Sequence, residues 1–168
     1  MRWTYTGPYV DHGHVQPRDS DIAAVRLALA EARRAADAGE VPIGAVILDS
    51  DGRVISTGAN AREATYDPTA HAEVVAIREA ARLRSSWRLN GCTLAVTLEP
   101  CPMCSGAVWL SRLDRVVFGA WNPEYGAAGS LWDVLRDRRL NHRPEVVAGV
   151  LADECSEVLG DFFVVRRA

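Results

Sequence analysis

The sequence predicts an α/β sandwich built on a mixed, largely five-stranded sheet. Segments with an apolar residue at every third or fourth position alternate with short runs rich in β-branched residues, the patterns of amphipathic helices and buried strands. A hairpin followed by alternating strands and helices is typical of a sheet covered by helices. At 168 residues the chain is long enough for one domain that buries roughly 70% of its unfolded surface.

The first half of the chain reads as a helix, a hairpin and a second helix. We predict the first helix over residues 19–38, capped by Asp19 or Ser20 and ended by Gly39. Two β-rich runs, 41–48 and 54–59, flank a turn over residues 49–52 that contains a glycine able to adopt positive φ. After a polar loop, residues 70–84 have the apolar spacing of a helix.

The second half predicts three further strands, interspersed with helices. The strands cover residues 94–98, 116–119 and 146–150. The helices cover residues 102–111, with Pro102 in the first turn, then 131–136 and 153–166. No repeat or linker interrupts this order, so we assign residues 19–168 to one domain. Residues 1–18 lack periodicity and carry several Gly and Pro residues, so we expect a disordered extension whose histidines are not metal ligands.

Composition and charge narrow the class of protein. The chain is 48% hydrophobic and 24% charged, which is typical of a soluble globular domain. No apolar run approaches the roughly 20 residues of a membrane helix, and the N-terminus lacks a secretory pattern, so we expect a cytoplasmic protein without membrane partners. A net charge of −3, taken alone, argues mildly against nucleic-acid binding. Binding to a nucleic acid would then depend on local clusters of basic residues. Four cysteines in such a protein favour metal or catalytic use over disulfides.

Cys101 and Cys104 are the first candidate metal ligands. Their spacing of three places both thiols on one face of a helical turn. The helix N-terminus favours the thiolate form that zinc requires, because the backbone dipole presents partial positive charge there. A lone Cys-x-x-Cys is nevertheless ambiguous between a redox motif, a structural zinc site and a catalytic zinc site.

His71 and Glu73, at the start of another predicted helix, favour the catalytic zinc site. His71 would be the third ligand and would leave the fourth tetrahedral position to water, which is the open geometry of a catalytic ion. Zinc lowers the pKa of such a water from about 15.7 toward about 7, so hydroxide forms at neutral pH. Glu73 could simply stabilise the helix dipole, but beside both motifs we interpret it as the catalytic proton carrier. Cys92 and Cys155 are interpreted as small core residues.

With both motifs in place, the sequence resembles the cytidine/deoxycytidylate deaminase superfamily and, more narrowly, the bacterial tRNA adenosine deaminases. The resemblance covers residues 21–167 and includes segments 40–46, 67–73, 97–104, 115–119 and 126–131. It implies a three-layer α/β/α cytidine-deaminase-like sandwich, a zinc-dependent deaminase domain over residues 19–168 and one Zn²⁺ per subunit. It also implies a homodimer whose pockets use both subunits.

The same resemblance implies an activity, a partner and a set of substrate contacts. Zinc-activated hydroxide would convert adenosine to inosine at the wobble position of a tRNA anticodon, with Glu73 protonating N1 of the base. Asn60 would hydrogen-bond the flipped base, although it could equally just end a strand. The phenylalanines of the last helix could contact the RNA loop or belong to the core. The remaining implied substrate-binding residues are Ile43 and Leu98 in the pocket wall, Asn122, and Phe162, Phe163, Arg166 and Arg167 facing the RNA loop.

Segment 121–125 departs from the family pattern, since an Asp commonly occupies the position of Asn122 and basic residues are frequent nearby. We hypothesise that Asn122, lacking a carboxylate, reduces repulsion toward the nucleic-acid backbone and relaxes substrate choice.

Two alternatives to a tRNA deaminase stay open. The first is a zinc deaminase of a free base, nucleoside or nucleotide, which differs only at the pocket edges. The second is a nonenzymatic zinc-stabilised RNA-binding module, in which four protein ligands saturate the ion.

Overall fold

A computed structural model describes residues 15–166, with side chains to residue 164. The sequence-based expectation of disorder over residues 1–18 therefore falls largely on residues outside the described part, where Arg167 also lies. The elements are α1 (Asp19–Asp37), β1 (Gly44–Leu48), β2 (Val54–Ala59), α2 (Arg62–Thr65), α3 (Ala72–Leu83), β3 (Thr93–Leu98), α4 (Pro102–Ser111), β4 (Arg115–Ala120), β5 (Glu145–Val147) and α5 (Ala152–Arg166). Within the described residues, none of these helices has the length and apolar character to cross a bilayer.

The five strands form one mixed sheet in the order β2-β1-β3-β4-β5. β1 pairs antiparallel with both β2 and β3, whereas β3, β4 and β5 run parallel to one another. A tight turn forces the β1–β2 hairpin to be antiparallel, while the crossover through α4 returns the chain parallel to β3. The predicted mixed five-stranded sheet is confirmed.

Helices cover both faces of this sheet. Successive side chains of a strand point to opposite faces, so in β1 Ala45 and Ile47 join the core beneath α3 and α4. Val46 and Leu48, from the alternate positions, join the core beneath α1 and α5. Cys92 lies in the first core and Cys155 in the second, as predicted. The result is the three-layer α/β/α sandwich implied by the family resemblance.

Local differences from the predicted elements have identifiable causes. β1 begins at Gly44 rather than residue 41, because the Ile43 amide donates to the Val41 carbonyl at 2.8 Å in a tight turn. The predicted cap by Asp19 or Ser20 is wrong, since Asp19 is already helical and the Arg18 amide donates to the Asp21 carboxylate at 2.8 Å.

The predicted helix over residues 131–136 is also wrong. Backbone amides there bond back to the preceding loop, as when Val134 donates to the Ala127 carbonyl at 2.9 Å, and one isolated bridge joins Ala128 to Asp133. β5 ends at Val147 instead of residue 150, and Gly149 follows with φ of 76°. α2 was not predicted, because its four residues are too few to show a period.

A buried ion pair ties the start of α1 to β4. Asp21 is 2% exposed and accepts hydrogen bonds from both terminal nitrogens of Arg115, whose Nε also binds Glu145 on β5. Burial alone would raise the pKa of Asp21, but the bonds from Arg115 and from the Arg18 amide outweigh it and lower that pKa below 3.8. The folded state is therefore stabilised by an ionised Asp21.

We expect Asp21→Asn to lower the free energy of unfolding by about 3 kcal/mol, because it leaves the buried Arg115 charge with only the half-exposed Glu145 as its partner. Because the folded pKa lies below the ordinary value of 3.8, the stabilisation is complete above that pH and is lost as pH falls through the folded pKa. Urea unfolding at several pH values should show that the difference in free energy of unfolding between wild type and Asp21→Asn becomes smaller below about pH 4. The exposed Asp19→Asn serves as control. A difference in free energy of unfolding that stays constant into strong acid would contradict the stabilising role of ionised Asp21.

Candidate active site and metal centre

Two helix starts converge at one end of the sheet. His71 immediately precedes α3 with an extended backbone (φ −71°, ψ 150°), and Cys101 immediately precedes α4 in a similar conformation (φ −72°, ψ 172°). Cys104 lies in the first turn of α4, and Pro102 starts that helix where a missing N–H costs nothing. Both helices present their positive dipole ends to the same point, which suits the thiolates of a metal site.

The three side chains form a donor set of the right size for zinc. Nδ1 of His71 lies 3.5 Å from Sγ of Cys104 and 3.7 Å from Sγ of Cys101, and all three ligand atoms lie within 4.8 Å of one another. A tetrahedral zinc with bonds of about 2.0–2.1 Å to nitrogen and about 2.3 Å to sulfur separates N and S by about 3.5 Å. The residues therefore fit the ion, and three protein ligands leave its fourth position open.

The titration of these ligands reflects their mutual hydrogen bonds. A hydrogen bond from Cys104 lowers the pKa of Cys101 to about 4, with a further hydrogen bond to His71 acting in the same direction and burial acting against it. Cys104 keeps the shared proton, so that bond raises its own pKa, and a bond to Cys101 raises the pKa of His71. Without a cation the cluster thus holds protons that metal binding must displace.

Glu73 lies in the first turn of α3, two residues after His71. It is only 4% exposed, and burial raises its pKa to about 7. A carboxyl group with such a pKa can both accept and donate a proton at neutral pH, as general acid–base catalysis requires. An ordinary carboxylate stabilising the helix dipole would be expected at the solvent-exposed surface, so its burial supports the catalytic interpretation.

His71, Glu73 and Cys101 border a cleft of about 500 Å³, a volume typical of small-molecule and nucleoside sites, and Cys104 is fully buried behind it. Five of the substrate-binding residues implied by the family resemblance line the same cleft: Ile43, Asn60, Leu98, Asn122 and Phe163. Phe162 does not line it. Its half-buried ring packs edge-to-face on Phe163 at 5.5 Å between centroids. Arg166 belongs to α5, but its side chain falls outside the described part.

Residues 18–120 match the family model described as the cytidine and deoxycytidylate deaminase zinc-binding region. That segment covers more than half of the chain and contains His71, Glu73, Cys101 and Cys104. The chain belongs to this deaminase family.

Similar proteins narrow the comparison within the deaminases. The tRNA-specific adenosine deaminase of Bacillus subtilis (strain 168) is 51% identical over 143 residues, which is 85% of this deaminase and 88% of the relative. A structure solved in work on A-to-I editing by tRNA deaminases at the wobble position has a TM-score of 0.78 and 42% identity, covering 82% of this chain and 99% of its own. Guanine deaminase from Bacillus subtilis has a TM-score of 0.56 and 40% identity, covering 59% and 63% of the two chains.

Sequence reasoning missed a buried carboxylate behind the cleft wall of this deaminase. Glu40 is 2% exposed, and its Oε2 accepts a hydrogen bond from Nδ2 of Asn60 at 3.0 Å. Its Oε1 accepts from the Ala64 amide at 2.8 Å. The first bond uses one amide hydrogen of Asn60 and leaves its carbonyl oxygen and second hydrogen for other partners.

Glu99 is a second carboxylate that sequence reasoning missed. It follows β3, is 1% exposed, and accepts hydrogen bonds from three backbone amides, those of Asn122, Ala128 and Ser130, at 2.9–3.0 Å. Gly126 packs directly against it, since a Cβ there would lie 2.2 Å from Oε2. Glu99 therefore fixes the loop over residues 122–130, whose first residues form one wall of the cleft in this deaminase.

Proposed function

We propose that this protein hydrolytically deaminates adenosine to inosine at the wobble position of a tRNA anticodon. The observation that carries the proposal is a buried Glu73 beside a Cys₂His donor set, at a cleft in a chain 51% identical to a tRNA-specific adenosine deaminase. The reaction class is that of a zinc-dependent hydrolase acting on an amidine C–N bond. The partner is the anticodon loop of a tRNA, and the corresponding compartment is the cytoplasm.

His71, Cys101 and Cys104 are the residues we assign to one Zn²⁺ per subunit, within a deaminase domain over residues 19–168. When bound, the ion supplies Lewis acidity that lowers the pKa of a water molecule from about 15.7 toward about 7. The two thiolates and the neutral imidazole together balance the charge of the dication, which favours binding in a buried site.

Glu73 carries the protons in this proposal. It takes a proton from the attacking water and delivers it to N1 of the adenine ring as the C6–O bond forms. It then takes the remaining proton from the new C6 hydroxyl and passes it to the exocyclic amine, so that the C6–N bond breaks, ammonia leaves and the C6 carbonyl of inosine forms. One water is consumed and one ammonia is released, so a single carboxyl group that both accepts and donates suffices.

The substrate contacts follow from the cleft lining. Asn60 has an amide hydrogen and a carbonyl oxygen left for the edge of the flipped base, while Ile43 and Leu98 supply apolar walls for its faces. We assign contacts with the RNA loop to Asn122 and Phe163, which line the cleft, and to Phe162, Arg166 and Arg167 of the last helix.

We further propose a homodimer whose pockets use both subunits, formed through the outer face of α4. This helix is apolar on the side that does not contact the sheet, where Met103 is 36% and Leu110 is 58% exposed. Apolar side chains exposed along a helix mark an interaction surface, and a second copy would cover them. Sedimentation equilibrium should give twice the mass of the chain, and a monomer at micromolar concentration would contradict this arrangement.

One assay tests the activity. The zinc-loaded protein is incubated with an anticodon stem-loop bearing a wobble adenosine, and in parallel with free adenosine and free cytidine, while inosine and ammonia are measured. We expect inosine from the stem-loop. Product from the nucleosides alone would favour a small-molecule deaminase, and an ion with four protein ligands and no product would favour an RNA-binding zinc module.

Asn122 provides a test of substrate choice. Its Oδ1 accepts a hydrogen bond from the Tyr125 amide at 3.1 Å, and an aspartate can accept the same bond. We therefore expect Asn122→Asp to keep the fold but to change the ratio of the rates on RNA and DNA hairpins, because the hypothesis links the missing carboxylate to relaxed substrate choice. Identical ratios of the two rates in the variant and the wild type would refute the hypothesis.

A further inference from the structure

Arg62 is a positive charge at the rim of the cleft that the proposed chemistry leaves unused. It is the first residue of α2, it is exposed, and it lines the cleft together with the carboxylates of Glu73, Glu99 and Glu124. Among the cleft-lining residues that the structure describes, it alone bears a guanidinium. Within that same part of the chain, its side chain has neither a hydrogen bond nor an ion pair to a carboxylate.

The backbone that carries Arg62 is nonetheless held firmly. The amide of Ala64 donates to the buried Glu40 carboxylate at 2.8 Å, the Thr65 hydroxyl donates to the Ala61 carbonyl at 2.6 Å, and the Ala61 amide donates to Ala70 at 3.0 Å. The other oxygen of Glu40 holds Asn60, two residues before Arg62. One buried carboxylate thus anchors both a candidate base contact and the guanidinium at the rim.

We propose that Arg62 binds a phosphodiester group of the nucleic-acid strand next to the target nucleoside. This inference rests on the proposed function, because it takes the target base to lie deep in the cleft near Glu73. A strand that delivers one base to the cleft keeps its phosphates at the rim, where the exposed carboxylate of Glu124 would repel them. A guanidinium offers paired N–H donors that match phosphate oxygens, and an unpaired one loses no protein contact when it binds.

Arg62 would therefore favour a base carried on a phosphodiester strand over a free nucleoside. Asn60 and the apolar walls contact only the nucleoside and are equally available to both substrates. A phosphate contact adds binding energy that free adenosine cannot gain. Loss of this contact should therefore raise KM for the strand and leave the rate of deamination of the free nucleoside unchanged. A free nucleoside monophosphate carries related chemistry, so adenosine 5′-monophosphate serves as a separate arm of the test.

The test compares wild type, Arg62→Ala and Arg62→Lys on the anticodon stem-loop over a range of salt concentrations. We expect Arg62→Ala to raise KM roughly tenfold, with kcat nearly unchanged, and Arg62→Lys to recover part of the loss. The dependence of log KM on log salt should become shallower by about one unit. A purely structural role of Arg62 would leave that slope unchanged.

Stem-loops with a neutral methylphosphonate on either side of the wobble adenosine identify the phosphate. When the methylphosphonate replaces the contacted phosphate, KM of the wild type should rise about as much as KM of Arg62→Ala rises on the native loop. The same replacement should raise KM of Arg62→Ala little further. Arg82→Ala is the matched control, since Arg82 is exposed on α3, pairs with Glu79 and does not line the cleft. Zinc content and circular dichroism check that each variant is folded.

The outcomes separate this inference from the proposed function. If KM and its salt dependence are unchanged in Arg62→Ala, or if KM for free adenosine rises equally, the proposed phosphate contact is refuted. Neither result would affect the proposed deamination. A stronger effect on adenosine 5′-monophosphate than on the stem-loop would overturn the strand as ligand. If wild type does not deaminate the stem-loop, the proposed function fails. Fluorescence anisotropy of a labelled loop, titrated with salt, then still decides whether Arg62 binds it.

Discussion

Glu73→Gln should reduce kcat by about 10³- to 10⁴-fold on whichever substrate the protein deaminates, while zinc stays bound. A positioned general acid–base group contributes roughly 10²–10⁴-fold, and we expect the upper end because one carboxyl group serves two proton transfers. Glutamine keeps the shape of the side chain, but it can neither accept the proton of water nor deliver it to the ring. The measurement is single-turnover formation of inosine, together with zinc content by atomic emission.

Glu79→Gln is the matched control for this experiment. Glu79 lies on the same helix, but its carboxylate is exposed and pairs with Arg82 at 2.6 Å, so its loss should leave kcat unchanged. A rate for Glu73→Gln within tenfold of wild type would exclude Glu73 as the proton carrier. Loss of zinc in that variant would instead assign Glu73 to the metal site.

Cys104→Ala should abolish stoichiometric zinc binding and, with it, activity. The variant removes one of the three side chains that we assign as zinc ligands, and Cys104 is fully buried with its Sγ 3.5 Å from Nδ1 of His71. Two ligands do not complete a tetrahedral site with a single open position. We expect less than about a tenth of a zinc per chain, with a lower midpoint of thermal unfolding because the metal no longer stabilises the native state.

Cys92→Ala controls for the loss of a buried thiol. Cys92 is equally buried but lies before β3, away from the donor set, so zinc content and activity should persist. Because Cys104 and His71 must release protons when the ion binds, the zinc affinity of wild type should fall as pH is lowered. Full zinc occupancy in Cys104→Ala would refute the ligand assignment.

Periodicity predicted most of the fold because the elements around the site have strong local signals. α4 covers residues 102–111 as predicted, since Pro102 sets its start and the apolar run 107–110 continues it to Ser111. All five strands were predicted because each has a run of β-branched or small apolar residues. The helix predicted over residues 131–136 was wrong because long-range backbone hydrogen bonds to the preceding loop outweigh local propensity there.

The candidate site was predicted in part for the same physical reason. The metal ligands and Glu73 form short motifs whose residue types already indicate their chemistry. Glu40 and Glu99 have no such signal, because their partners are amides 20 to 31 residues away and no sequence pattern indicates such distant pairs. Arg62 was missed because an exposed arginine is ordinary, and only the structure shows that it lines the same cleft as Glu73.

The loop anchored by Glu99 has a practical consequence for protein engineering. Its amides bind Glu99 at residues 122, 128 and 130, whereas residues 123–125 form an exposed tip that makes no bond to that carboxylate. Libraries randomised only at this tip should therefore retain folded, zinc-loaded enzymes at high frequency. New preferences among RNA sequences could then be selected without redesigning the catalytic centre.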